Sequence, residues 1–376
     1  MLLGTSAEAF SFVEIANTQT SDFTNLNDAA YSINDLGSVV FTAELAGQNG
    51  IFLGDGETVG TLVDPSEGFT DFSFVDINSA GNAVFNADGN TGIFSVEGGA
   101  INPVVTVPSS LGLIGFTAEG FSSPLINEAG TIVFEANNGE EDQQGLYLVE
   151  EDVINTIADS PDFDIFRFSL NNNGEVAFFA ISDQAPDGDA VFISDNGGFP
   201  VPLPDLLGFG TIEGPTLNDN GTVAFDVLLD DPDPEISLQG IFTQNGEDLQ
   251  LVVDNSGDFS SFQRPAINNQ GTIVFSAGLD AGSGGIFAGP DPVADRVIGI
   301  GDTLFGSTVT GVSFTQQTGL NNQGQIAFTA SFADGSSGIF RADPDEFQSV
   351  PEPVSGVGLL VIGAVGVASR LVKKKR

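Results

Sequence analysis

The side chains able to do chemistry in this chain are carboxylates, hydroxyls, carboxamides and a few guanidinium groups. Of 376 residues, 52 are Asp or Glu and nine are Lys or Arg, while His and Cys are both absent. Without imidazole or thiol there is no disulfide framework, no thiolate nucleophile, no His base and no zinc or haem centre of the usual kind. Two carboxylate chemistries remain open. Closely spaced hard oxygens can hold calcium, and two carboxylates flanking a sugar can cleave a glycoside without His. Three acidic stretches are dense enough for the first: residues 137–144 with Glu140, Glu141 and Asp142, residues 181–189 with Asp183, Asp187 and Asp189, and residues 228–239 with Asp230, Asp231, Asp233 and Glu235. None has the Asp-x-Asp-x-Asp-Gly spacing and closing Glu of a calcium loop, so solvated loops are expected and no cofactor is assigned. For the second, no pair stands out among so many carboxylates. No catalytic residue is assigned, and a non-catalytic protein is the expectation.

Charge is unevenly placed. The formal net charge is −43, and five of the nine basic residues (Arg370, Lys373, Lys374, Lys375 and Arg376) fall in the last seven positions. The body keeps only Arg167, Arg264, Arg296 and Arg341. Such a surface repels phosphate backbones, so nucleic acid is not an expected partner.

The elements that must position any site are repeated. An apolar-Asn-x-x-Gly-x-apolar-small-Phe pattern occurs seven times, from INDLGSVVFTA at Ile33 to LNNQGQIAFTA at Leu320, at spacings of 44 to 53 residues. Its fixed pairs are Asn34 with Gly37, Asn78 with Gly81, Asn127 with Gly130, Asn171 with Gly174, Asn218 with Gly221, Asn268 with Gly271, and Asn321 with Gly324. Asn bonds its own backbone two residues on and Gly supplies a left-handed conformation, so each pair reads as a tight hairpin turn. After each Gly, alternate positions such as Val39, Phe41 and Ala43 are apolar, and the position between them is Val or Ala in every copy. The strand is thus buried on both faces, as in sheets stacked face to face. A second element, Gly-Ile-Phe or a close variant, follows each copy (at Gly50, Gly92, Gly145, Ala190, Gly240, Gly285 and Gly338), then a third apolar stretch, then a fourth leading into the next Asn.

Four strands in 40 to 50 residues is the size of a propeller blade. The reading is therefore all-β, a seven-bladed β-propeller of four-stranded blades over residues 10–345. The seventh unit stops early, and residues 11–18 (SFVEIANT) resemble its missing fourth segment, so an N-terminal strand is expected to close the ring and cover two edges. An open stack of hairpins would need no such spare strand. Because the Asn turns are short and uniform, the working face is expected at the opposite end, on the irregular acidic loops.

The last stretch, residues 346–376, has a different grammar. Pro351, Glu352 and Pro353 precede an uncharged apolar run at 354–369, which ends in Arg370 and the Lys373–Arg376 cluster. Helical continuation to about residue 372 makes it long enough to span a bilayer with Arg370 snorkelling, its basic end in the cytoplasm. This order of features resembles the PEP-CTERM sorting signal of Gram-negative bacteria. The resemblance implies an exosortase as processing partner, transient anchoring in the inner membrane through the C-terminal hydrophobic helix, and delivery to the cell surface or outside. The body likewise resembles the choice-of-anchor tandem-repeat proteins that carry such tails, a resemblance that implies no activity. Residues 1–9 lack a basic region and a hydrophobic core, yet Ala7-Glu8-Ala9 has the small-x-small form of a signal-peptidase site, so they read as the remnant of a signal peptide. The functional expectation is an exported propeller that binds or organises extracellular polysaccharide, matrix or protein partners. The alternative is a carbohydrate-active enzyme working through paired carboxylates.

Overall fold

The computed structural model describes residues 10–69, 71–87, 92–106, 122–137, 144–150, 153–185, 189–203, 212–229 and 238–345. They form seven antiparallel sheets, six of four strands and one of five. Blade one is typical: Phe23–Ile33 runs into the Asn34 turn, Val39–Leu45 returns, Gln48–Gly54 reverses again, and Val59–Val63 forms the outer edge. Blades two to six open with inner strands Phe72–Ile77, Ser122–Ile126, Asp164–Leu170, Ile212–Leu217 and Phe259–Ile267, and from blade one to blade six each inner strand packs on the next. The protein is a seven-bladed β-propeller.

Each blade begins one strand earlier than the sequence pattern suggests. The segment that leads into an Asn turn is the inner strand of that turn's own blade, not the last strand of the blade before it. This changes the part played by the N-terminal strand. Phe10–Asn17 does complete blade seven, but it pairs with Ser337–Pro344 as the outer strand, outside Ile326–Phe332 and the inner strand Ser307–Phe314. What the seventh repeat lacks is its third apolar stretch, and the first strand of the chain supplies it.

The core is divided into seven clusters, each lying between two neighbouring blades. In blade one Val39, Phe41 and Ala43 pack against blade seven, while Val40 packs against blade two. Alternation thus sends successive side chains of one strand into different interfaces, which is why neither face is polar. The abundance of Phe has a place in this scheme. In every blade the Phe of the second strand faces an aromatic of the third, from Phe41 and Phe52 at 5.8 Å to Phe328 and Phe340 at 5.7 Å. Several blades add an edge-on ring before or at the start of the inner strand, as Phe163 does over Phe178 and Phe192. Such geometries add about 0.5–1.5 kcal/mol per pair beyond burial. The Gly of Gly-Ile-Phe is explained by the same ring: a Cβ on Gly50 would sit 3.1 Å from Phe52 and 3.0 Å from the Val63 carbonyl.

Candidate functional site

Each Asn turn closes with four local hydrogen bonds. In blade one Asn34 N–H donates to Ser38 O and Gly37 N–H to Asn34 O, both at 3.0 Å. The Asn34 Oδ1 accepts from Leu36 N at 3.1 Å and Ser38 N at 3.0 Å. The other six turns repeat this set. The seven turn glycines hold φ between +75° and +88°, where a Cβ costs about 1–2 kcal/mol.

One group of each Asn is left over from the turn, the Nδ2 amide, and it reaches out of the blade. Asn34 Nδ2 donates to the backbone carbonyl of Asn78 at 3.2 Å, Asn78 to Asn127 at 3.1 Å, Asn127 to Asn171 at 3.2 Å, and Asn171 to Asn218 at 3.1 Å. Asn218 continues to Asn268 at 3.0 Å, Asn268 to Asn321 at 3.2 Å, and Asn321 returns to Asn34 at 2.9 Å. The result is a closed belt of seven buried carboxamides around the axis. The sequence assigns these residues to turn building alone. The signal for the second role is that Asp, an equally good turn residue, occupies none of the seven positions in a chain with 52 acidic residues. Asp has no amide to donate.

A second tier stands on the belt. In six of the seven blades the residue after the Asn accepts from the backbone N–H of its counterpart in the preceding blade: Glu128 from Ser79, Asn172 from Glu128, Asp219 from Asn172, Asn269 from Asp219, Asn322 from Asn269, and Asp35 from Asn322. The distances lie between 2.7 and 3.0 Å. Asp219 also takes Nδ2 donors from Asn172 at 3.1 Å and Asn269 at 2.6 Å.

Belt and tier surround a recess of about 130 Å³ on the axis at the Asn-turn end. Three carboxylates (Asp35, Glu128 and Asp219) share its rim with the carboxamides of Asn172, Asn269 and Asn322. Inside lie Ser32, Thr216 and Asp76, two positions ahead of the Asn in their blades, and Gln317 and Thr318 from blade seven. Among the described residues that line it, none is Lys or Arg. Asp76 is the buried acid of the recess. Its Oδ1 accepts from Ser32 Oγ at 2.6 Å and Ile77 N at 2.9 Å, and its Oδ2 from Ile126 N at 2.9 Å, so it ties blades one, two and three together. Burial drives its pKa up to about 6, against the pull of these three donors and with added repulsion from Glu128.

The recess lies at the end opposite the one the sequence points to. Of the three acidic loops, residues 138–143, 186–188 and 230–237 lie outside the described residues, and Asp183 is exposed. Among the described residues no three His, Cys, Asp or Glu come together as a metal centre. Pro351, Glu352, Pro353, Arg370, Lys373, Lys374, Lys375 and Arg376 also lie outside the described residues, among which no helix is long and apolar enough to cross a membrane.

Comparison with solved structures returns the same architecture at low identity. Virginiamycin B lyase from Staphylococcus aureus is similar over 89% of this chain and 99% of its own, at 13% identity and a TM-score of 0.49. A chain of a mitotic checkpoint complex matches over 91% of this chain and 96% of its own, with 11% identity and a TM-score of 0.51. Prolyl oligopeptidase B from Galerina marginata matches over 82% of this chain and 48% of its own, with 11% identity and a TM-score of 0.52. At these identities the two likenesses with a TM-score above 0.5 carry the fold and nothing more. No curated protein sequence matches the chain. Residues 11–357 match the profile described as a family of unknown function, DUF7453, and the chain belongs to that family.

Proposed function

We propose that this protein is an exported, surface-sorted propeller that binds a polyhydroxylated extracellular polymer at the axial recess without transforming it. The observation that carries the reading is the recess itself. It is a ring of carboxylate and carboxamide oxygens on a hydrogen-bonded frame, with no cation among its described lining residues, and it suits a ligand rich in hydroxyl donors and free of negative charge. Its volume, about 130 Å³, is below the roughly 300–1,000 Å³ of drug-sized sites, so it would hold one small ring. Residues 346–376 fit the same reading: a PEP-CTERM-like tail processed by an exosortase would bring the propeller to the cell surface. The test is retention of the full chain on immobilised neutral polysaccharides, with Asp35→Ala/Asp219→Ala as the recess variant. Retention that the double variant abolishes supports the reading, and retention indifferent to it removes the recess from the function.

One observation favours a second reading. Asp76, with its pKa raised to about 6, shares an axial recess with Glu128, as two carboxyl groups do in a glycosidase. Against it, both Asp76 oxygens are already engaged with Ser32, Ile77 and Ile126. Release of reducing sugar by the wild type, lost in Asp76→Asn, would make the enzyme reading the better one.

A further inference from the structure

The inner strand of blade seven departs from the pattern of the other blades. Where they run directly into the Asn turn, it stops at Phe314, and residues 315–319 fold into a turn before Leu320 and Asn321. Two glutamines of this turn reach out across the ring. Gln316 Nε2 donates to the carbonyl of Gly214 on the inner strand of blade five. In the orientation that satisfies its carboxamide, Gln317 donates to Phe168 O at 3.2 Å and accepts from Leu170 N at 2.9 Å, both on the inner strand of blade four. Blade four is three places from blade seven, the greatest separation a ring of seven allows, so these bonds cross the axis.

The turn is fixed at its root as well. Tyr31 Oη donates to Ser313 O at 3.0 Å and accepts from Thr315 N at 3.1 Å. Thr318 Oγ1 donates to Tyr31 O at 3.3 Å, and Ile33 N to Thr318 O at 2.8 Å. Gln317 sits at φ +66°, a conformation that a non-glycine residue keeps only where its surroundings hold it there. Gln317 and Thr318 also line the recess.

We propose that this turn is a stopper across the axial bore, which makes the recess blind and admits the end of a ligand chain but not its interior. The stopper stands on the bonds above. Its consequence for the ligand rests on the polysaccharide reading of the previous subsection. A through-bore could thread a polymer; a recess with a rim of oxygens and a floor of Gln317 and Thr318 has room only for a terminal unit.

Two measurements on the full chain separate these parts. Gln317→Gly accepts the positive φ and deletes the carboxamide, so the turn still forms. In hydrogen exchange the Leu170 amide should then exchange faster by about tenfold, the equivalent of one lost hydrogen bond, while the Asn218 amide, bonded within its own turn, stays unchanged. Equal Leu170 exchange in both proteins overturns the stopper. For the ligand, xylan, β-glucan and α-glucan are each cut to a series of lengths and offered at equal mass. Binding should rise in proportion to the number of chain ends and vanish when both ends are chemically capped. Binding that falls as chains shorten, or survives capping, overturns chain-end recognition. Failure of all three polymers to bind overturns the polysaccharide reading and chain-end recognition together, whatever Leu170 shows.

Discussion

A carboxamide at the head of each turn does two jobs with two atoms, and the jobs can be separated by mutation. Asn218→Ala loses the Oδ1 that accepts from Asn220 N and Thr222 N, and the Nδ2 that donates to Asn268 O. Asn218→Asp keeps the acceptor and places a carboxylate against the Asn268 carbonyl. Both variants should lose about 1–3 kcal/mol of stability at pH 7, the cost of leaving buried partners unmet. They should differ with pH: once protonated, the Asp can donate to Asn268 O, so its deficit shrinks on acidification while that of the Ala variant stays constant. Parallel urea titrations at pH 4 and 7 decide it. Asp76 gives the second residue-scale prediction. Its folded pKa, about 6, lies above the ordinary 3.8, so the folded state holds the proton more tightly than the unfolded state does. Its contribution is therefore fully present below pH 3.8 and is lost as pH rises through about 6, an amount of about 3 kcal/mol at 1.36 kcal/mol per unit. Relative to the wild type, Asp76→Asn should lack this decline between those two values. Identical slopes of stability against pH in the two proteins would sink the assignment.

At the scale of elements, the weak point of any ring is the seam between its first and last units. Here the seam is closed at four radii. The N-terminal strand Phe10–Asn17 pairs along Ser337–Pro344 at the rim. Inward of it Arg341 grips Asp343 at 2.6 Å and reaches the carbonyls of Gly37 and Asp55 in blade one. Asn321 completes the belt, Asn322 carries the tier across to Asp35, and Thr318 with Tyr31 closes the inner edge. Gly338 lies against the backbone of the rim strand. A Cβ there would fall 2.6 Å from the Phe340 ring and 3.0 Å from the Ala16 carbonyl. The same substitution at Gly92 meets Phe94 and Val105 O at 3.0 Å, inside a blade with no seam. Both Gly→Ala variants should be destabilised, by about 1–3 kcal/mol as overpacking costs. Only Gly338→Ala should expose residues 10–17 to limited proteolysis under native conditions. Equal cleavage in the two would mean that the rim strand does not close the ring.

For the whole molecule, what matters most beyond packing is charge. With a net −43, compaction crowds like charges, and four Arg in the body leave room for few opposing ion pairs, such as Arg296 with Asp302 at 3.1 Å and Arg341 with Asp343. Salt should therefore stabilise the fold. Raising NaCl from about 0.01 to 1 M shortens the screening length from roughly 30 to 3 Å, and Tm should rise by several degrees. A fall in Tm over that range would show that specific ion pairs outweigh self-repulsion.

Much of this was legible in the chain. Blade number, turn chemistry and double-faced burial are local or periodic properties, written in seven Asn-x-x-Gly units and the Val/Phe/Ala alternation behind them. The existence of a closing strand followed from arithmetic on the repeats. Which place that strand takes did not, because a repeat can be cut at any phase without changing its period, and only pairing shows that blades begin before the Asn. The belt is a contact between residues 44 to 53 apart in sequence, and from 321 back to 34. Its only trace in the sequence is the absence of Asp from those seven positions. A working face was expected at the other end because variable loops advertise themselves and uniform turns do not. Seven similar turns surround a recess only when the ring brings them to one axis, and the residues that floor it depend on bonds between opposite sides of that ring.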